Sequence, residues 1–147
     1  MPTSRALREQ VIQLLCQFDA GNEDVALITE DDFDEEHGIT NKPNEKAMKL
    51  AKKIWEDRVT SDAHIEPYTP DWPIHRQPLV DRNILRLARY EIVSGMTPPV
   101  VAIDEAIELA GVYSTEKSAS FINGVLDAIV HEKMPPSQKV DSATEGK

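Results

Sequence analysis

Three arginines, Arg82, Arg86 and Arg89, recur at spacings of four and three, which on a helix stacks their guanidinium groups along one face. Like charges so placed destabilise an isolated helix by roughly a few tenths of a kcal/mol per pair, and an anionic partner would relieve them. The plainer alternative is a solvated face, with the long stems lying on apolar surface. Lys46, Lys49 and Lys53 make a similar stripe, but Glu45 and Glu56 stand close by, so a solvated face is the favoured reading there. Arg5 and Arg8 share a face at the start of the first helix. The stretch Ser114-Thr115-Glu116-Lys117-Ser118-Ala119-Ser120-Phe121 joins free helix N-terminal amides, hydroxyls, one cation and an aromatic, groups suited to phosphate contact and base stacking. Phe121 also fits a core position.

Catalytic spacings are missing. The chain has no P-loop, GxGxxG, HExxH, GxSxG or paired CxxC, each of which places phosphates, a metal or a nucleophile by a defined interval. His37, His64, His75 and His131 are scattered singly, which argues against a metal site. Cys16 has no adjacent base and reads as a structural thiol. Asp104 and Glu105 are consecutive, so on a helix they point in different directions. No enzymatic role and no cofactor are expected.

Elements with helical period must position these groups. Leu7, Val11, Leu14, Leu15 and Phe18 form one stripe that Ser4 can cap and Gly21 can stop. Asn44 can cap a second helix with Ala47, Leu50, Ala51, Ile54 and Trp55 inward. Ser61 or Asp62 can cap a short third helix before Pro67, after which Pro67, Pro70, Pro73 and Pro78 break regular structure. Pro78 suits the first turn of a broad apolar helix running to Gly95. Thr97-Pro98-Pro99 turns the chain into a helix carrying Ala102, Ala106 and Ala110. A last helix capped by Ser114 or Thr115 ends before Pro135. No segment alternates with period two, and Asn123-Gly124 falls inside a helical stripe rather than between strands. An all-α bundle of about seven helices is the expected fold.

Composition sets the remaining bounds. With 147 residues, 40% of them hydrophobic and 29% charged, the chain suits one soluble domain with a real core. No apolar run reaches the roughly 20 residues of a membrane span, and no membrane partner is expected. The opening residues Met1 to Arg5 lack the apolar stretch of a secretory signal, and the single cysteine excludes an internal disulfide, so a cytoplasmic location is expected. A net charge of -10 sits badly with a nucleic-acid binder. The acidity is regional, however: eight acids and no Lys or Arg lie between Asn22 and Gly38, leaving the remainder at -2. Residues 1–133 are therefore read as one helical domain containing an acidic connector at 22–43, and residues 134–147 as a disordered polar tail.

Beyond these readings, several motifs follow one another in a recognisable order. They are Trp72-Pro73-Ile74, the run Leu79 to Glu91, the run Pro99 to Ala110, Glu116-Lys117-Ser118-Ala119, and Phe121-Ile122-Asn123-Gly124-Val125-Leu126-Asp127. This stretch resembles the NusB family, and Arg5 to Asp19 resembles the family's start more loosely. The resemblance implies two packed helical subdomains and a transcription antitermination role, in which boxA RNA of ribosomal RNA leaders is bound together with the ribosomal protein NusE in the RNA polymerase antitermination complex. A homodimer is also possible on this resemblance. By position, it makes Arg5, Arg8, Arg86, Lys117, Ser118 and Phe121 candidates for RNA contact, and Asp81 and Arg82 candidates for the protein interface. Family members often begin with a denser arginine run, usually have Tyr at the position of Cys16, and commonly have Lys at that of Ser120; each departure removes a cation or an aromatic from the expected surface. The competing expectation is a helical adaptor that binds protein with little or no RNA. A NusB-like domain also precedes the catalytic domain of some ribosomal RNA cytosine methyltransferases, but the chain leaves no room for one after its last helix. The RNA surface would lose its footing if its guanidinium groups were tied up in internal ion pairs.

Overall fold

In the computed structural model, which describes residues 4–21 and 44–131, six α-helices and two short 3-10 turns occur and no strand is present among the described residues. The helices are α1 (Arg5–Asp19), α2 (Glu45–Glu56), α3 (Arg58–Ile65), α4 (Leu79–Ser94), α5 (Pro99–Tyr113) and α6 (Glu116–Val130). The 3-10 turns Glu66–Tyr68 and Ile74–Arg76 carry the proline-rich passage between α3 and α4. The acidic connector and the polar tail expected from the sequence lie outside the described residues.

Helix starts follow the local chemistry. The side chains of Ser4, Asn44 and Thr115 accept hydrogen bonds from the backbone N–H groups of Leu7, Lys46 and Ser118, satisfying donors with no partner inside the helix. Helix α3 begins three residues before Ser61, directly from the last turn of α2 at Asp57, and Ser61 is buried rather than capping. Pro78 is the N-cap of α4 instead of its first residue. Gly95 ends α4 at φ 75°, in the left-handed region where a side chain is strained.

One apolar cluster joins all six helices, from Val11, Leu15 and Phe18 of α1 through Leu50 and Ile54 of α2 and Ile65 of α3 to Ile84, Leu109 and Leu126 in the last three. Helices α1 and α2 run parallel: the backbone N–H of Asn44 donates to Gln10 Oε1, and Phe18 meets Trp55 at 5.8 Å between ring centroids. Helix α1 crosses α4 in the opposite sense, with Arg8 bonded to Glu91 at one end and Asp19 to Arg82 at the other. Helices α4, α5 and α6 fold back through short turns, and Ala102 and Ala106 of α5 line a small apolar gap together with Arg8 of α1 and Ala88 and Glu91 of α4.

Candidate nucleic-acid interface

The arginine face of α4 points inward. Arg82 donates from Nε and Nη2 to the two carboxylate oxygens of Asp19 at 2.6 and 2.7 Å. Arg86, with a side chain only 6% exposed, donates to Asp19 at 2.9 Å and to both oxygens of Asp62 at 2.9 and 2.7 Å. Arg89 donates to Asp57 at 2.7 Å and to His64 Nδ1 at 2.9 Å. The stripe thus has its anions, and they come from α1, from α3 and from the α2–α3 junction. Burial works against the charge of Asp19, yet the hydrogen bonds from Arg82 and the neighbouring Arg86 overcome it and hold this carboxyl below its ordinary pKa. Burial likewise opposes the charge on Arg86, and Asp62 and Asp19 outweigh it and raise its pKa. For His64, burial and then the Arg89 charge push the pKa down, consistent with a neutral ring accepting through Nδ1.

Five of the residues expected to meet a ligand are placed differently by this geometry. Arg8, 3% exposed, makes a two-pronged bond to Glu91, which is 1% exposed, and its Nη1 lies 3.6 Å from Glu105. Arg8 and Arg86 therefore hold helices together and offer no guanidinium face outward. Ser118 is buried, donates to Asp81 Oδ2 at 2.6 Å and accepts from Ser114 and Thr115. Asp81, expected at a protein interface, has no exposed surface because this bond ties the start of α4 to the start of α6. Arg82 is 16% exposed and committed to Asp19. In each case the partner lies far away in sequence, which local spacing does not reveal.

Lys117, Phe121 and Arg5 retain exposed surface. Lys117 projects from the first turn of α6, and one turn on, Phe121 meets Trp72 edge-on at 4.7 Å. Both rings are half-buried, so each combines a packed side with a wet one. Trp72 is the residue that reasoning from spacing missed as a contact candidate; its place opening the Trp72-Pro73-Ile74 motif was the available signal. Arg5, 52% exposed, is held by the two oxygens of Glu105 at 3.1 and 2.9 Å. That bond raises the pKa of Arg5 and lowers that of Glu105. Arg5 is linked through Glu105 and Arg8 to Glu91 near one end of α4, and Lys117 precedes Ser118, which bonds Asp81 near the other. Ten residues of helix, about 15 Å of axis, separate Glu91 from Asp81.

No group of His, Cys, Asp and Glu among the described residues is arranged to hold a metal. Cys16 is half-buried; burial raises its pKa, and Asn83 Nδ2 approaches its sulfur at 3.9 Å. No helix among the described residues is long and apolar enough to cross a membrane.

The model of the NusB family matches residues 5–131, which takes in all six helices and the aromatic pair. The chain belongs to the NusB family. A transcription antitermination protein NusB from a Nitratiruptor species is 41% identical over 139 residues, spanning 95% of this chain and 99% of that one. Among solved structures, T. maritima NusB matches with a TM-score of 0.72 and 37% identity, covering 96% of this chain and 99% of its own. A chain from the structure of antitermination factors NusB and NusE in complex with dsRNA matches with a TM-score of 0.66 and 28% identity, covering 87% and 96%. The helical packing expected from the resemblance is therefore the packing of NusB proteins, and the internal arginine pairs stand within that shared architecture.

Proposed function

We propose that this chain is a transcription antitermination factor that binds boxA-type RNA of ribosomal RNA leaders together with ribosomal protein NusE, within the RNA polymerase antitermination complex. The observation that carries the reading is the family match over residues 5–131, joined to end-to-end similarity with proteins named for antitermination. The solved relative bound to NusE and dsRNA supports the choice of partners. On this chain, the RNA contacts are Lys117 and the wet sides of Phe121 and Trp72, with Arg5 reaching phosphate farther along. Residues 5–131 act as one domain that is not an enzyme, in the cytoplasm.

A second reading, a helical adaptor that binds protein and little RNA by itself, is favoured by one observation: Arg8 and Arg86 are occupied internally. Gel shifts with boxA RNA, with and without NusE, separate the two. Partner-dependent retention that weakens with salt supports the antitermination reading. Binding of NusE with no gain in RNA retention at any salt concentration supports the adaptor.

A further inference from the structure

Seven Lys and Arg side chains are exposed among the described residues, and four of them, Lys46, Lys49, Lys52 and Lys53, sit on α2. The others, Arg5, Arg76 and Lys117, lie on three separate elements, and Arg5 is bound to Glu105. Against the α2 lysines stand Glu45 and Glu56; among the described residues only Lys49 has a carboxylate within 4 Å, that of Glu45 at 3.7 Å with both groups largely in water. Such an exposed pair contributes little and opens readily. Helix α2 buries Ala47, Leu50, Ala51 and Ile54, so its lysines are directed away from the core. The molecule's densest exposed positive surface among the described residues is thus on the helix where spacing alone favoured simple solvation.

We infer that the outer face of α2 is a second contact for the phosphate backbone of single-stranded RNA, separate from the α6 aromatic site and indifferent to base sequence. Three observations favour RNA over a protein partner. Lys46, Lys49 and Lys53 fall within about two turns of helix, spaced over about 10 Å, and each is a flexible point charge suited to phosphate. The exposed residues of α2 are all charged, its Trp55 being half-buried against Phe18, whereas the centres of protein interfaces are depleted in Lys and enriched in aromatics. At the C-terminal end of α2, Arg58 stacks on Trp55 at 4.1 Å, extending the positive character into α3. Helix α2 packs chiefly on α1, and α6 packs on α5 and α4, so one RNA contacting both sites would have to bend around the bundle.

The test compares the full-length chain with a Lys46→Gln, Lys49→Gln, Lys53→Gln variant and with Lys117→Glu. Affinity for oligouridine lacking boxA, and for boxA RNA of equal length, is measured across salt concentrations. Each single-strand phosphate contact contributes about 0.7 to the slope of log affinity against log salt, so losing three lowers the slope by about 2 and, between about 50 and about 200 mM salt, removes roughly a twentyfold change in affinity. Lys117→Glu changes the oligouridine slope by less than half as much. An unchanged oligouridine slope in the triple variant, or no oligouridine binding by the wild type, overturns the inference. So does loss of poly-L-glutamate binding in the triple variant with its RNA slope intact, which assigns the face to an acidic protein. The ratio of boxA to oligouridine affinity reports separately on the α6 site, so this surface and the boxA reading stand or fall independently.

Discussion

Replacing Glu91 by Leu removes a carboxylate that is 1% exposed and leaves the Arg8 guanidinium inside the protein with its two-pronged partner gone. Glu91 also accepts a hydrogen bond from the Thr97 hydroxyl at 2.6 Å, so the substitution orphans a second buried group beside Gly95. Removing one member of a buried ion pair costs about 3 to 5 kcal/mol, because the survivor is left charged and dry. Arg8 keeps a contact with Glu105 at 3.6 Å, which places the expected loss near the lower end, about 3 kcal/mol. For urea denaturation followed by far-ultraviolet circular dichroism, and a slope of about 1.5 kcal/mol/M, that is a midpoint lowered by about 2 M. The double variant Arg8→Met, Glu91→Leu fills the site with apolar volume and recovers most of the loss, since a buried pair exchanged for well-packed hydrophobic groups is often neutral or stabilising. Its RNA affinity stays near wild type when measured below the unfolding transition. The reasoning is refuted if Glu91→Leu shifts the midpoint by less than about 0.3 M, or if the double variant is stable yet loses RNA binding, which would return Arg8 to the ligand surface.

Other perturbations address the remaining elements. Lys117→Glu weakens boxA retention in the presence of NusE and flattens its salt dependence by about 0.7 in slope, with little change in melting temperature; an unaltered gel shift would remove Lys117 from the interface. Trp72→Ala lowers RNA affinity by about 1 to 3 kcal/mol if a base stacks against the pair, as read by fluorescence anisotropy, and an unchanged Kd counts against stacking there. His64 has a depressed pKa in the folded protein, so the unfolded chain takes up the proton first as pH falls. Stability drops as pH passes below about 6.5 and levels off below the folded value; His64→Gln makes the melting temperature less pH-dependent across that window. Gly95→Ala places a side chain at φ 75° and lowers stability by about 1 kcal/mol, visible as a few degrees in calorimetry.

The sequence was most informative where a residue acts on its near neighbours. Ser4, Asn44 and Thr115 cap the helices that their chemistry suggests, and the stripes through Leu15, Ile54 and Leu126 are buried as their period requires. The spacing of Arg82, Arg86 and Arg89 correctly marked a shared face in need of negative charge. It carried no information on whether that charge came from outside, because Asp19, Asp57 and Asp62 are separated from these arginines by 24 to 67 residues. The same limit hid the Ser118–Asp81 bond and the meeting of Trp72 with Phe121. Where pairing is long-range, periodicity identifies an amphipathic side without saying what covers it, and the binding reading of the α4 arginines gave way to internal pairing for that reason.

The pairing of α1 with α4 has a consequence for the chain as it leaves the ribosome. Arg8 waits 83 residues for Glu91, and Asp19 waits 63 for Arg82, so the amino-terminal half emerges with its future interior charges still hydrated and uncompensated. Local hairpins of α4 with α5 and α5 with α6 close over short loops, whereas bringing α1 home spans most of the polypeptide and bears a larger entropic penalty. Synthesis therefore reaches the carboxyl-terminal half before the amino-terminal half can lock, and a nascent chain stalled ahead of Leu79 lacks the helix on which both converge.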